Sequence, residues 1–270
     1  MRRTAGDVLG AWGTEEARLL AQCELHRMAA ELLFDRICVE CGWRALDLGC
    51  GPLGVLDILA ERVGPNGSVI GLDHDPRMLA AAAPALTQRG VRGIQLVQGE
   101  VTATGLPAAS FDLVHERLLL GNLGRPEAVV AEMVRLVRLG GFVALQDADV
   151  ISWTCEPACP AWDRLAHALT TTCIGDPHIG RRLPGMLRGA GLVDVEVDVQ
   201  AGVWRPGEPH HTLLPCLVGL HRDRILTSGT LTEPELDACL HDVEKHLARP
   251  DTIVLSWTLF QAWGRKPFVS

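Results

Sequence analysis

The chain reads as an α/β protein built on a mostly parallel sheet with helices on both faces. Three observations predict this. Short apolar runs alternate with helix-periodic stretches between residues 44 and 147, the βαβα order of a parallel sheet. The first run ends in Asp47-Leu48-Gly49-Cys50-Gly51-Pro52-Leu53-Gly54, a glycine-rich turn that opens a helix. Without Cβ atoms, such a turn lets the backbone approach a polar ligand closely at the carboxyl end of a strand. Finally, 270 residues with 47% hydrophobic content suffice for one large core.

Taken in order, residues 14–40 read as one or two amphipathic helices, with Thr14 as N-cap and Glu15 and Glu16 in the first turn. The first strand covers about 44–48 and a helix follows over 53–63. Pro65-Asn66-Gly67 turns into the second strand, Ser68 to Leu72, which ends at Asp73. Pro76 opens a helix that runs through an alanine stretch to about residue 88. The third strand is Ile94 to Gln98, and a loop with Gly105 and Pro107 leads to the fourth, Phe111 to His115. Pro126 to Leu139 is helical and stopped by Gly140-Gly141; Phe142 to Gln146 is the fifth strand. Beyond Asp149 the pattern changes. Prolines around Cys155–Pro160 precede helical text, Val193 to Val199 alternates as a sixth strand, 209–248 is helical with a break at Thr227–Thr232, and Thr252 to Trp263 is a final strand. The helical segments 14–40, 150–180 and 209–248 are expected to cover the strand ends. This divides the chain into a helical cap (1–43), a ligand-binding core (44–150), and cover insertions with the last two strands of the same sheet (151–270).

The net charge is −8 with no basic run, which argues against a nucleic-acid partner. No apolar stretch approaches the ~18 residues of a membrane span. Met1 to Gly13 has no apolar signal core, so the expected location is the cytoplasm. The nine cysteines then read as reduced thiols. Cys38-x-x-Cys41 and Cys155-x-x-x-Cys159 have metal-ligand spacing, but nothing fixes a second pair beside the first, and no metal is expected.

Gly49, Gly51 and Gly54 spell G-x-G-x-x-G, the dinucleotide fingerprint. Asp47 argues for a different ligand. A carboxylate two residues before the first glycine would repel a pyrophosphate and favour a cationic head. Asp73 can accept both ribose hydroxyls and serves either ligand.

Asp47 with these glycines resembles motif I of the class I S-adenosylmethionine (SAM)-dependent methyltransferases. Three later stretches resemble the same family in order. Gln98-Gly99-Glu100-Val101 places an acid where the family meets the adenine amino group, although Asp is more usual there. Leu106-Pro107 with Phe111-Asp112-Leu113-Val114 matches the entry to the fourth strand. Glu132-Met133-x-Arg135 through Gly140-Gly141 matches the helix into the fifth, with Leu139 replacing a proline. The N-terminal helices and Asp176 to Pro184 also look like a bacterial small-molecule methyltransferase group.

The resemblance implies a Rossmann-like seven-stranded sheet with its last strand antiparallel and SAM as cofactor. The implied reaction is methyl transfer to O, N or C of a small metabolite, in a role such as natural product biosynthesis. Trp153, Trp162 and Trp204 in the cover suggest an apolar or aromatic acceptor. Carried onto this sequence, the cofactor residues are Asp47, Gly49, Cys50, Gly51, Asp73, His74, Met78, Gly99, Glu100, Val101, Glu116 and Arg117. Arg117 can alternatively pair with a carboxylate. Asp147, His115 and His178 are the candidate catalytic groups, Asp147 first because it ends the fifth strand beside the crevice. Trp12, Asn122, Asp149, Trp153 and Arg181 are candidates for the acceptor site. With no tyrosine in the chain, Trp12 is the aromatic residue placed to close over the ligand. The apolar N-terminal helices can cap their own pocket or, in a homodimer, a neighbour's. Three other readings stay open: an NAD-dependent dehydrogenase, arsenite methylation through Cys155, Cys159 and Cys173, and a fold-mate that keeps SAM without methylating, such as a cyclase.

Overall fold

A computed structural model describes residues 14–268; Trp12 lies outside them. Strands β1 (Arg44–Leu48), β2 (Ser68–Asp73), β3 (Gln95–Gln98), β4 (Phe111–Arg117) and β5 (Val137–Asp149) run parallel in the order β3-β2-β1-β4-β5. β10 (Thr258–Arg265) lies antiparallel to both β5 and β7 (Val193–Gln200), which completes seven strands in the order β3-β2-β1-β4-β5-β10-β7. The strand order reverses between β1 and β4, and a ligand crevice belongs at the carboxyl ends of that pair.

One face of the sheet is covered by α2 (Arg27–Ile37), α3 (Leu56–Val63) and α4 (Pro76–Gln88), whose Phe34, Leu56, Leu59 and Leu86 share an apolar cluster. α4 starts where the sequence places it: Pro76 occupies its first turn and Asp75 accepts the Arg77 amide. The other face is covered by α5 (Pro126–Leu136) and α7 (Leu183–Gly189), packed through Val129, Met133, Leu183 and Leu187. A third apolar cluster lies in the cover. It comprises α6 (Pro160–Thr171), α8 (Leu213–Leu220), α9 (Arg222–Ser228) and α10 (Glu233–Leu247), with a small sheet of β6 (Thr154–Glu156), β9 (Ile253–Leu255) and β8 (Val203–Trp204). α1 (Glu15–Leu25) is capped by Thr14, as its sequence predicts, but buries no residue fully.

Three of the elements that differ from expectation do so for an identifiable physical reason. The helix expected over 53–63 begins at Leu56, because Leu53–Val55 is used by the turn and the Val55 amide donates to Asp47. The helix expected to reach Leu139 stops at Leu136. Lys266 Nζ takes the carbonyls of Val134 and Val137, at 2.6 and 2.8 Å, and the chain enters β5 at once. The single strand expected over 252–263 is two strands in two sheets. Ser256 breaks it: its amide donates to Gly202 O (2.9 Å) and its Oγ accepts the Gly202 amide (2.8 Å).

The motifs at Leu106-Pro107 and Glu132-x-x-Arg135 prove to be one unit. Glu132 Oε1 accepts the Thr104 amide (3.0 Å) and hydroxyl (2.6 Å), while Arg135 Nη2 donates to Leu106 O (2.9 Å). This ties the loop before β4 onto α5.

Candidate active site

The glycine loop is built by backbone bonds that leave β1. Gly49 and Cys50 both donate to Leu72 O, at 2.7 and 3.0 Å, which pins the loop to the end of β2. Gly51 then donates to Asp73 Oδ2 (2.9 Å), and Asp73 Oδ1 accepts the Asp75 amide (2.9 Å). Asp73 is thereby held rigidly between the loop and the start of α4. Gly51 and Gly54 both have φ +54° but face different surroundings. A Cβ on Gly51 would find no atom within 4 Å, whereas one on Gly54 would collide with Asp47 Oδ2 and lie 2.8 Å from Cys50 O. The loop is therefore open towards a ligand at Gly51 and packed against its own support at Gly54.

That support is a buried polar chain across three strands. Asp47, 2% exposed, accepts the Val55 amide on Oδ2 (3.1 Å) and pairs through Oδ1 with His115 Nδ1 (2.8 Å). His115 Nε2 meets Gln146 Oε1 at 3.0 Å, and Phe34 packs edge-on against the imidazole at 5.4 Å. Both ring nitrogens of His115 are engaged and its side chain is fully buried, so it presents no free nitrogen to the crevice. Asp47 lies beneath the loop with both oxygens occupied.

Above the loop, α1 leaves a cavity of about 50 Å³ lined by Gln22, Cys23, Asp47, Gly51 and Arg117. Arg117 ends β4, and its guanidinium bridges two backbone carbonyls, Gly54 O (2.8 Å) and His26 O (3.4 Å). The donor set fits SAM. The Gly51 face is open, the Asp73 carboxylate retains lone pairs for ribose hydroxyls, Asp47 supplies negative potential near a cationic head, and Arg117 supplies positive charge for a carboxylate.

The adenine-side residues lie beside Asp73. Gly99 donates to Asp73 O (3.1 Å), His74 is exposed with Nδ1 3.3 Å from Asp73 Oδ1, Met78 is buried in the first turn of α4, Glu100 is exposed, and Val101 packs against the apolar cluster of the α5 face. Glu116 and Asp147 point to the opposite face of the sheet from His115 and support the turn at 118–122. Glu116 Oε2 accepts the Leu119 amide (3.2 Å); Asp147 accepts the amides of Gly121 and Ala148, both at 2.8 Å. Burial, with Asp147 beside it, pushes the Glu116 carboxyl well above its usual range. Burial likewise pushes Asp147 up to about 6. Asn122, on the surface of this turn, donates to Leu118 O (2.9 Å).

Asp149, His178 and Arg181 form a separate cluster. Asp149 accepts from the Ile151 amide (3.0 Å), pairs with His178 Nδ1 (2.9 Å) and binds the Arg181 guanidinium. Burial alone would raise its pKa, but these hydrogen bonds outweigh that and hold it at about 2. Trp153 is buried in the cover. Cys155 and Cys159 are buried there and Cys173 is exposed. Among the described residues no group of three His, Cys, Asp or Glu side chains converges as a metal site would require.

The structure adds residues that the sequence reading did not single out: Leu19, Gln22 and Cys23 from α1, Gln146 beneath the loop, and His26 and Trp257 at the cover. Leu19, Gln22 and Cys23 stand at i, i+3, i+4, the spacing of a single helix face, which is a readable signal. Trp257 had none, because its segment read as continuous strand.

The family model described as a methyltransferase domain matches residues 46–145. Among characterised relatives, nocamycin O-methyltransferase of Saccharothrix syringae is 35% identical over 122 residues, 45% of this chain and 44% of that one. The chain thus spans about half the length of that relative. Demethylmenaquinone methyltransferase of Geobacillus kaustophilus is 30% identical over 187 residues, 64% of this chain and 80% of that one. Among solved structures, phosphoethanolamine N-methyltransferase 2 of Haemonchus contortus, in complex with SAM, superposes with a TM-score of 0.58. Its identity is 16%, covering 98% of this chain and 60% of that one. A glycine loop braced by an acid, a second acid fixed at the end of β2, a seven-stranded sheet and these matches agree: the chain belongs to the class I SAM-dependent methyltransferases.

Proposed function

We propose that the protein transfers a methyl group from SAM to an O, N or C nucleophile of a small, apolar or aromatic metabolite. One observation carries this reading: Asp73 is locked by the Gly51 and Asp75 amides beside a loop whose Gly51 face is open. The two curated relatives, one an O-methyltransferase and one acting on demethylmenaquinone, support a small acceptor.

SAM, when bound, supplies a methyl group already activated on a sulfonium. The residues of this chain then have to bind, align and dry the site. Asp73 holds the ribose side, Arg117 the carboxylate end, and the cover over the strand ends excludes water. Alignment at near-attack distance is worth roughly 7–11 kcal/mol. His115 acts as a positioning residue that fixes Asp47 under the loop, and Asp147 positions the 118–122 turn. Residues 1–43, 44–150 and 151–270 serve as cap, cofactor core and acceptor cover. No helix among the described residues is long and apolar enough to cross a membrane. All nine cysteines are free thiols, which supports a cytoplasmic place of action.

The test is calorimetric titration of SAM, S-adenosylhomocysteine and NADH into the wild type and Asp73→Ala. The reading expects micromolar binding of the first two ligands, lost in the variant, and none of NADH. NADH binding in place of SAM would overturn it. SAM binding with no S-adenosylhomocysteine formed from any acceptor would leave SAM as a structural ligand.

A further inference from the structure

Three buried side-chain nitrogens around one aromatic cluster have no hydrogen-bond partner among the described residues: Nε1 of Trp153, Nε1 of Trp257 and Nε2 of His26. Each of these residues is only 7% exposed. Trp257 is the hub. Its ring packs edge-on against Trp153 at 5.4 Å and Trp204 at 5.3 Å, and lies 6.0 Å from the His26 imidazole. Buried polar groups are rarely left unpaired, because each loses its hydration without compensation. Three at one cluster mark a place where a polar ligand is expected.

The cluster stands at the crevice. Trp257 directly precedes Thr258, which pairs with Asp149 at the carboxyl end of β5, and Trp153 follows that end by four residues. His26 O is held by Arg117, the last residue of β4. Arg117 donates to these carbonyls, also lies against the Cys23 thiol, and forms no ion pair among the described residues. The nearby carboxylates face elsewhere. Asp47 is taken by Val55 and His115, Asp147 by backbone amides, and Asp149 by Arg181 and His178. What the cluster leaves unused is two indole N–H donors and one imidazole nitrogen.

We propose that this cluster holds the methyl acceptor as a planar oxyanion, gripped by the Trp153 and Trp257 N–H groups. The inference rests on the methyltransferase reading and deepens it by naming an acceptor class: an acidic enol or hydroxyquinone-like hydroxyl that arrives ionised. The imidazoles at the cluster support this. Burial, and then Arg117, lowers His26 to about 3. Burial also lowers His210, which packs on Trp204. Neither takes a proton readily from an ordinary phenol, whose pKa is about 10. An ionised acceptor needs no base. Its oxygen lone pair forms the new O–C bond, the C–S bond breaks with its pair returning to sulfur, and the two charges cancel without proton transfer.

The test uses wild-type protein saturated with S-adenosylhomocysteine and three probes of similar size. These are 2-hydroxy-1,4-naphthoquinone, ionised at neutral pH; 1,4-naphthoquinone, which has no acidic hydroxyl; and the cationic 2-naphthylmethylamine. Calorimetry should show the ionised probe binding roughly tenfold or more tighter than the neutral one, as charge-assisted hydrogen bonds require, and the amine not binding. Trp153→Phe and Trp257→Phe keep the ring and remove the donor. Each should shrink the preference for the anion several-fold while SAM affinity stays unchanged. Equal binding of the ionised and neutral probes to the wild type, or no binding of the ionised probe at millimolar concentration with SAM affinity intact, would overturn the proposal. Those wild-type measurements hold even if a variant folds poorly. Absence of SAM binding itself would instead strike the methyltransferase reading, and this inference with it.

Discussion

Gly51 and Gly54 share one backbone conformation and opposite surroundings, so the same substitution should do two different things. Both have φ +54°, where a residue with a Cβ costs roughly 1–2 kcal/mol. In Gly51→Ala that strain is the whole stability cost, because nothing lies within 4 Å of the new atom. For a chain of this size the melting temperature should fall by roughly 2–8 °C. The methyl group, however, stands on the face proposed for the cofactor, so SAM affinity should fall at least about 100-fold. In Gly54→Ala the new Cβ drives into Asp47 Oδ2, which cannot retreat, because its carboxylate holds the Val55 amide and His115. Losing even one hydrogen bond to that buried charge adds about 1.5–3 kcal/mol. The total is then about 2.5–5 kcal/mol, enough to threaten the fold. With no tyrosine in the chain, thermal unfolding can be followed by tryptophan fluorescence, and SAM binding by calorimetry. If Gly54→Ala melts with Gly51→Ala, or Gly51→Ala keeps wild-type SAM affinity, the assignment of the two faces is wrong.

Other perturbations follow the same logic. Asp147 has its pKa pushed up to about 6 by burial, against about 3.9 for an ordinary Asp. The folded state therefore binds more protons between these values, and stability should fall as pH rises from about 4 to 6, by up to about 3 kcal/mol. Asp147→Asn, which keeps an acceptor for the Gly121 amide, should reduce that slope in urea midpoints measured across the window, leaving the part that Glu116 contributes. Glu132→Ala would strand the Thr104 amide and hydroxyl and the Arg135 guanidinium. It should cost about 3 kcal/mol, read as a melting drop of roughly 6–12 °C. Residues 15–25 should show slower amide exchange with S-adenosylhomocysteine than without, because α1 lines the loop cavity yet buries no residue fully; unchanged exchange there would remove α1 from the site.

The core of the fold was legible because its signals are local and redundant. β1, β2 and α4 each lie between a periodic run and a named stop: the glycine loop, Asp73 and Pro76. The cover was less legible because its elements depend on distant partners. β9 exists only against β6 and β8, and the break at Ser256 is made by Gly202, more than fifty residues away. The end of α5 at Leu136 is likewise set by Lys266. Alternation and helix period report a segment's own preference, and none of these boundaries is decided within its own segment.

The site shows the same division, with a consequence for mechanism. Spacing brings Asp47, Gly51 and Asp73 to one crevice, and the structure places them there. Spacing cannot show what else an acid touches. Asp47 reads as a partner for a cationic ligand, yet its two oxygens already hold the loop amide and His115. Its charge reaches a ligand through space, while its hydrogen bonds shape the cradle. His115 reads as a base at the end of β4, yet Asp47 and Gln146 use both of its nitrogens. Strand period explains this, since His115 and Arg117 share one face of β4 and Glu116 takes the other. Two residues along that one face separate His115, which braces the loop, from Arg117, which reaches the crevice. Of the three, Arg117 is the side chain left with charge to offer a ligand.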